Sequence, residues 1–392
     1  MRTTAPPPAP AKVPPPKATV HKPAEENPTK HAPTPAMTEA LNPPTQPLSK
    51  PHDRKLLDAK GFGLKPIIFP HVDKINSFND LAVAMKGTAS GARDLGEAVE
   101  AIQAMIKDKG CTVVMTLSGN ATPFTTLIAE FIDRGIVRAV VTTGSIVTHS
   151  FSAERGRSLL QVKDPDAVDD SALYNVGGNR IYDTLELENS LSEGYKTLQK
   201  LTDKMDPTVV LASADVTRAI GDLLNSKFPQ NNGLLHAAAK ANVPVFVPSF
   251  TDCEIGLDFL GQNLKRRKDG KEELKFDAFL DVERYFDLIK KADTVGIIEL
   301  GGGTPRNWGQ QIGPFADILS EQGLEPKSLI IRIKYAVRLC SAPPGEGGLS
   351  GCTFAEGRSW GKFLREEDGG MFAEVVGDYS ISFPMICAAV LK

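Results

Sequence analysis

The chain has 392 residues, a net charge of −3, 41% apolar and 24% charged residues, the proportions of an ordinary soluble globular protein. The slightly acidic balance speaks against binding nucleic acid by bulk electrostatics, and no apolar run approaches the ~18–20 residues of a membrane span. Met1-Arg2-Thr3-Thr4 followed by prolines lacks the apolar stretch of a secretory signal, so a cytoplasmic protein is expected, with neither membrane nor nucleic acid as partner.

Fifteen of the 29 prolines fall between Pro6 and Pro51. Residues 1–53 are rich in Pro, Ala, Lys and Thr and too poor in large apolar side chains to offset their conformational entropy. They read as a disordered arm, solvated or serving as a ligand for a proline-binding module through runs such as Pro14-Pro15-Pro16. Residues 54–392, about 340 residues, suffice for one large α/β domain.

Along that domain, β-branched runs alternate with helical periodicity. Candidate strands are Thr112–Leu117, Val137–Val141, Pro244–Val247, Val295–Leu300, Leu329–Ile333 and Glu374–Val376. Leu127, Ile128, Phe131 and Ile132 ahead of Gly135, and later Phe286, Ile289 and Ala292, repeat at helical spacing. Near-continuous apolar strands separated by helices predict an α/β fold with a mostly parallel central sheet and helices on both faces. The charged stretches Glu154–Asp170 and Lys265–Lys275 read as surface insertions. The five cysteines (Cys111, Cys253, Cys340, Cys352, Cys387) form no CxxC pair. Three of the six histidines lie in the arm, which leaves His71, His149 and His236, too scattered for a metal site.

Parallel sheets bind ligands beyond the carboxyl ends of their strands. Four such ends here carry small residues: Ser118-Gly119-Asn120-Ala121-Thr122-Pro123, Thr142-Thr143-Gly144-Ser145, Ser249-Phe250-Thr251-Asp252 and Gly301-Gly302-Gly303-Thr304-Pro305. Small residues let backbone N–H groups approach a phosphate at a helix N-terminus. One such loop is ordinary strand termination, whereas four together suit a dinucleotide. No G-x-G-x-x-G follows the first strand.

The segment from Gly347 to Lys362 is a glycine-rich loop ending in Ser359-Trp360-Gly361-Lys362. A lysine shielded from water beside an indole can lose its charge and act as an imine-forming nucleophile. A surface lysine resting on the indole face is the other reading.

This segment resembles the active-site stretch of the deoxyhypusine synthase family. Further matches follow in order: Val140-Val141-Thr142-Thr143-Gly144, Pro248-Ser249-Phe250-Thr251-Asp252 with Gly256, Leu300-Gly301-Gly302-Gly303, and Gly377-Asp378 before Phe383-Pro384. The similarity runs from about residue 60 to 390. It implies a Rossmann-like NAD-binding domain and a homotetramer. The family's enzymes pass a hydride from spermidine to NAD, expel 1,3-diaminopropane, hold the 4-aminobutyl group as a lysine imine, transfer it to an acceptor amine and reduce the product. By position, Lys362 is the nucleophile, and Ser118, Gly119, Thr143, Gly144, Asp252 and Asp378 line the NAD site. Trp360 packs on the butyl chain, Glu356 and Ser350 hold polyamine nitrogens, and Gly302 lies at the substrate end.

Some positions depart from the family pattern. Asn307 stands where a histidine base follows the glycine triplet, and an amide cannot take a proton at neutral pH. Thr148 and His149 replace paired acidic residues. Leu257 replaces an aspartate, with Asp258 one position on. Glu254 and Asp258 are either polyamine carboxylates or solvated loop acids. His149 is the candidate replacement base, histidine being the side chain that titrates near neutral pH, or else a strand-end cap. The resemblance thus implies NAD-dependent aminobutyl transfer to a protein lysine or to putrescine, the latter giving homospermidine as in some deoxyhypusine-synthase-like proteins. A noncatalytic NAD- or polyamine-binding regulator on the same scaffold is the alternative.

Overall fold

The computed structural model describes residues 64–392; the proline-rich arm at 1–53 lies outside the described residues. The chain opens with two helices, α1 (Phe78–Lys86) and α2 (Ser90–Lys107). Ser77 caps the first by accepting from the Asp80 amide, a common way to satisfy a free N–H at a helix start. Then come β1 (Cys111–Leu117), α3 (Thr125–Asp133), β2 (Val137–Thr142) and α4 (Gly144–Glu154). A peripheral stretch follows: β3 (Leu160–Gln161), α5 (Asp170–Asn175), β4 (Gly178–Ile181), β5 (Thr184–Leu187), α6 (Glu188–Thr202) and β6 (Val210–Leu211). The chain continues through α7 (Ser213–Lys227), α8 (Leu234–Ala241), β7 (Val245–Phe246), α9 (Glu254–Lys268), β8 (Lys275–Phe276) and α10 (Phe279–Ile289). It ends with β9 (Thr294–Leu300), α11 (Gly303–Gln310), α12 (Ile312–Glu321), β10 (Ile333–Cys340), α13 (Phe354–Ser359), β11 (Met371–Val376) and α14 (Tyr379–Val390).

Six strands form one sheet in the order β11-β10-β9-β1-β2-β7, and every pairing in it is parallel. Alternation along each strand divides the core in two. Val113, Met115 and Leu117 pack on one face with Ile102, Phe131 and Phe383 of α2, α3 and α14. Val114, Ala139 and Ile297 pack on the other with Tyr285, Ile289 and Ile312 of α10 and α12. Burying each such side chain contributes about 1.5–3 kcal/mol, and the double cover is what a parallel sheet requires. The expected α/β architecture with helices on both faces is therefore the one observed. A small antiparallel sheet, β3-β5-β4, and a parallel pair, β6–β8, lie outside it. No described helix is long and apolar enough to cross a membrane.

Two expectations need correction. The fifth strand does not occupy Leu329–Ile333 but begins at Ile333 and runs to Cys340. Lys334 and Arg338 break its apolar pattern, and Arg338 is nevertheless 1% exposed. The two charged stretches are not wholly surface insertions. Glu154 is buried, accepting from the Leu235 and His236 amides and from His236 Nδ1, and Arg155 and Arg266 are buried too.

Candidate active site at the strand ends

From β1 the sheet grows towards β2 and β7 on one side, and from β9 towards β10 and β11 on the other. The loops after β1 and β9 therefore diverge and open a crevice between them, as at the strand-order reversal of other open α/β sheets. Gly119 and Gly301 occupy this point with φ of 71° and 79°, backbone that side chains rarely adopt. Three helices start here: α4 at Gly144, α11 at Gly303 and α14 at Tyr379. Their free N–H groups and dipoles suit an anion. Asp378 caps α14 by accepting from the Ser380 amide.

Two adjoining cavities fill the crevice. One, of about 190 Å³, is lined by Ser118, Thr143, Gly144, Asp252, Gly302 and Ser350 among others. The second, of about 1000 Å³, reaches Gly119 and Asp378 and shares Ser118, Gly302 and Ser350 with the first. All six residues assigned to the cofactor, and two of those assigned to substrate, thus line one or other of these two adjoining cavities. The close approach of their walls explains the glycines. A Cβ on Gly302 would lie 2.4 Å from Ser350 Oγ, and one on Gly144 2.3 Å from Cys253 Sγ.

Lys362 lies behind this crevice, 9% exposed. Its placement follows from the local sequence. Helix α13 is capped by Thr353, which accepts from the Glu356 amide. It closes with Gly361 at φ 70° and the Lys362 amide donating back to the Gly357 carbonyl, a glycine-dependent helix ending. The turn directs Lys362 inward, and Phe363 packs against Phe354 and Phe372. Lys362 Nζ donates to Asn307 Oδ1 at 2.9 Å and to Gln310 Oε1 at 3.4 Å, both on the helix whose first turn lines the smaller cavity. Burial holds the Lys362 amine below its ordinary pKa, and the neighbouring Arg306 adds to this against the pull of Glu299 and Glu356. An amine held by two neutral oxygens and shifted towards its free-base form is suited to attack on an electrophilic carbon.

Sequence reasoning missed the groups beneath. Glu299, fully buried, accepts from Arg306 Nε at 2.8 Å and from Gln310 Nε2 at 2.6 Å. Burial pushes its carboxyl upward, opposed by Arg306, Gln310 and Arg338. Arg306 also donates to the Leu349 and Cys352 carbonyls, and Arg338 to those of Ser350 and Cys352. Two buried guanidinium groups thus clamp the glycine-rich loop. Glu299 pairs in register with Thr116 and Arg338, and Arg338 with Glu374; the Arg338–Glu374 ion pair measures 2.7 Å. The available signal was charge inside otherwise apolar strands: Glu299 in β9, Lys334 and Arg338 in β10, and Glu374 in β11.

Other expected residues are not drawn into the crevice. Trp360 is 67% exposed and Glu356 is exposed on the outside of α13. His149 pairs with Glu186 at 2.6 Å. It lines a separate cavity of about 800 Å³ that also includes Glu254 and Asp258 and shares no lining residue with the other two. Burial and the like charge of Glu254 push Asp258 up to about 6.

Residues 80–390 match the family model for deoxyhypusine synthase. "Probable deoxyhypusine synthase 2" of Methanosarcina acetivorans is 29% identical over 319 residues, 81% of this chain and 87% of that protein. The protein of the same name in Archaeoglobus fulgidus is 30% identical over 280 residues, covering 71% and 87%. A "Deoxyhypusine synthase-like protein" of Elusimicrobium minutum is 27% identical over 326 residues, covering 82% and 83%. Among solved structures, that of a deoxyhypusine synthase candidate from Entamoeba histolytica superimposes with a TM-score of 0.51 at 14% identity, covering 83% of this chain and 96% of the other, a likeness of fold. With four-fifths of its length inside such matches, the chain belongs to the deoxyhypusine synthase family, whose members are NAD-dependent aminobutyl transferases.

Proposed function

We propose that this protein transfers the 4-aminobutyl group of spermidine through Lys362 to the amine of a free diamine, putrescine, giving homospermidine and 1,3-diaminopropane. The observation that carries the reading is the buried Lys362 amine, held below its ordinary pKa by burial, set behind a crevice of dinucleotide size. The residues present fit NAD. Helix starts at Gly144 and Gly303 line the smaller cavity, as a pyrophosphate requires, and the Asp252 and Asp378 carboxylates are acceptors for ribose hydroxyls. NAD, when bound, supplies the hydride acceptor for the donor amine and returns the hydride to the product.

The chain's own residues do the rest. The Lys362 amine attacks the oxidised donor carbon, and the C–N bond to the departing 1,3-diaminopropane breaks as that amine takes up a proton. The acceptor amine then displaces Lys362 from the butyl carbon. No net oxidation occurs across the cycle. Asn307 and Gln310 orient the Lys362 nitrogen without competing for its proton, being amides. Ser350 holds a polyamine nitrogen and Gly302 leaves room for the chain, while Glu356 and Trp360, exposed on the outside of α13, would reach the polyamine only from across a subunit interface. A homotetramer with sites at subunit interfaces, as the resemblance implies, would shield the exposed indole. Asn307 at the position of the family's histidine base favours the small acceptor over a protein lysine.

The test is to incubate the protein with NAD and spermidine, with and without putrescine, and to profile the amines. Homospermidine with diaminopropane is the expected result, and Lys362→Arg should abolish both while keeping NAD affinity. Diaminopropane without homospermidine would move the acceptor to a protein lysine. No diaminopropane in either condition would overturn the transferase reading.

A further inference from the structure

Strand β7 is the outer strand of the sheet on its β2 side, and it pairs only through Val245 with Val140 and Phe246 with Val141. Its other edge leaves backbone groups in need of partners. Helix α7 supplies them from its side chains. Thr217 Oγ1 donates to the Val245 carbonyl at 2.9 Å, and Ser213 Oγ accepts from the Val247 amide at 2.8 Å. The spacings agree, because four helical residues rise about 6 Å and two strand residues about 6.6 Å.

Ser213 does not act alone. Its hydroxyl donates to Asp281 Oδ2 at 2.6 Å, and the same carboxylate accepts from the Ser213 and Ala214 amides at 3.0 and 3.2 Å. Both side chains are buried. A serine hydroxyl has one proton and rotates to suit its partners. With that proton drawn to Asp281, its lone pairs are left for the Val247 N–H. A carboxylate on α10 thereby fixes the direction of a bond made to β7.

Val247 leads directly into the cofactor end of the crevice. Pro248 and Ser249 follow it and line the smaller cavity together with Asp252. Cys253 then caps α9 by accepting from the Gly256 amide. Val247 and Cys253 both press on the start of α4, where a Cβ on Gly144 would lie 3.5 Å from Val247 Cγ1 and 2.3 Å from Cys253 Sγ. Neither Ser213 nor Asp281 lines the two cavities of the crevice. They reach it through the backbone.

We infer that Asp281 and Ser213 are positioning residues for the cofactor. The carboxylate aims the hydroxyl, the hydroxyl holds Val247, and Val247 sets the loop of residues 248–252 against the start of α4. This deepens the reading of the crevice as an NAD site and rests on it. A bond that served stability alone would change only how much of the protein is folded. One that places this loop also changes how tightly the folded protein holds NAD.

The test is titration of NAD into the full-length wild type, Ser213→Ala and Asp281→Asn, with the kinetics of diaminopropane release measured alongside. Ser213→Ala strands the Val247 amide, and Asp281→Asn turns one accepting oxygen into a donor. Each should weaken NAD binding about five- to thirtyfold and raise the KM for NAD in step. The kcat at saturating NAD and the KM for spermidine should stay within about twofold of wild type. Ile289→Val, a core deletion on the same helix as Asp281, is the control. It should lower the thermal midpoint and leave NAD affinity unchanged. Thermal unfolding checks that each variant is folded at the assay temperature, and Ser213→Ala decides alone if Asp281→Asn is not. Unchanged NAD affinity in folded Ser213→Ala, or a kcat loss that saturating NAD does not restore, would overturn the inference. NAD binding needs no turnover, so absence of diaminopropane release would sink the transferase reading alone. A wild type that fails to bind NAD would overturn the site reading and this inference together.

Discussion

Glu299 offers the sharpest test of how the site is held. Its carboxylate is 0% exposed, Arg306 is 4% exposed, and their contact is 2.8 Å. Replacing Glu299 with Gln keeps the shape but leaves a buried guanidinium without its counter-charge, an arrangement that costs about 3–5 kcal/mol when one partner of a buried pair is removed. Removing both charges, as in Glu299→Gln with Arg306→Met, relieves that penalty and keeps an amide oxygen to accept from Gln310 Nε2. The remaining loss is the pair of Arg306 donors to the Leu349 and Cys352 carbonyls. Arg338 still serves Cys352, so about one buried acceptor is stranded, at about 1–3 kcal/mol. The double variant should therefore be more stable than the single one. The same comparison reads the lysine. Glu299 raises the Lys362 pKa and Arg306 lowers it, so Glu299→Gln should carry the acidic limb of the pH–rate profile to lower pH, and the double variant should bring it back. Urea unfolding at neutral pH and the pH dependence of diaminopropane release measure the two effects. A single variant within 1 kcal/mol of wild type, or a double variant less stable than the single one, would refute the argument.

Other perturbations follow from the same geometry. Because Lys362 is held below its ordinary pKa, the unfolded chain binds the extra proton between that value and ~10.4. Wild type should gain stability relative to Lys362→Met as pH rises through this window, and a flat difference from pH 7 to 10 would contradict it. Asp258 has the opposite sign. Its pKa, raised from 3.8 to about 6, means the folded state holds the proton longer, so wild type should lose stability relative to Asp258→Asn between those pH values and stay level above them. Equal unfolding curves at pH 4 and pH 8 would rule this out. Gly302→Ala sets a Cβ 2.4 Å from Ser350 Oγ and 2.8 Å from its Cα, so the loop backbone must shift and NAD affinity should drop. Gly347→Ala, where a Cβ meets nothing within 4 Å, is the control that should keep it, and equal affinities in a fluorescence titration would defeat the reading.

The sheet was legible because its strands are buried on both faces and carry runs such as Val295-Gly296-Ile297-Ile298 that stand out against the helical spacing of α3 and α10. The strand-end loops assigned to the cofactor stood out for a related reason. They occupy strand ends, where Gly119, Gly144 and Gly302 are forced by close approach or by positive φ. The strand at Ile333–Cys340 was shifted in the reading because Lys334 and Arg338 look like surface residues. Only the fold supplies Arg338 with the Ser350 and Cys352 carbonyls that make its burial tolerable. Glu154 was read outward for the same reason, its partners Leu235 and His236 lying some eighty residues away. Partners so distant in sequence leave no periodic trace.

The buried charges also account for how a glycine-rich loop can serve as a precise wall. Gly347, Gly348 and Gly351 give the loop little side-chain packing of its own, and ordering such a segment costs about 1–2 kcal/mol per residue in backbone entropy. Arg306 and Arg338 answer that cost by donating to four loop acceptor contacts from below. Their charges are in turn held by Glu299 in the middle strand and Glu374 at the sheet edge. Gln310, fixed by the other oxygen of Glu299, must turn its own oxygen to Lys362, because its nitrogen is already spent. One buried carboxylate therefore sets both the loop that walls the crevice and the acceptor that aims the lysine. That arrangement explains why an otherwise expensive charge occupies the centre of the sheet.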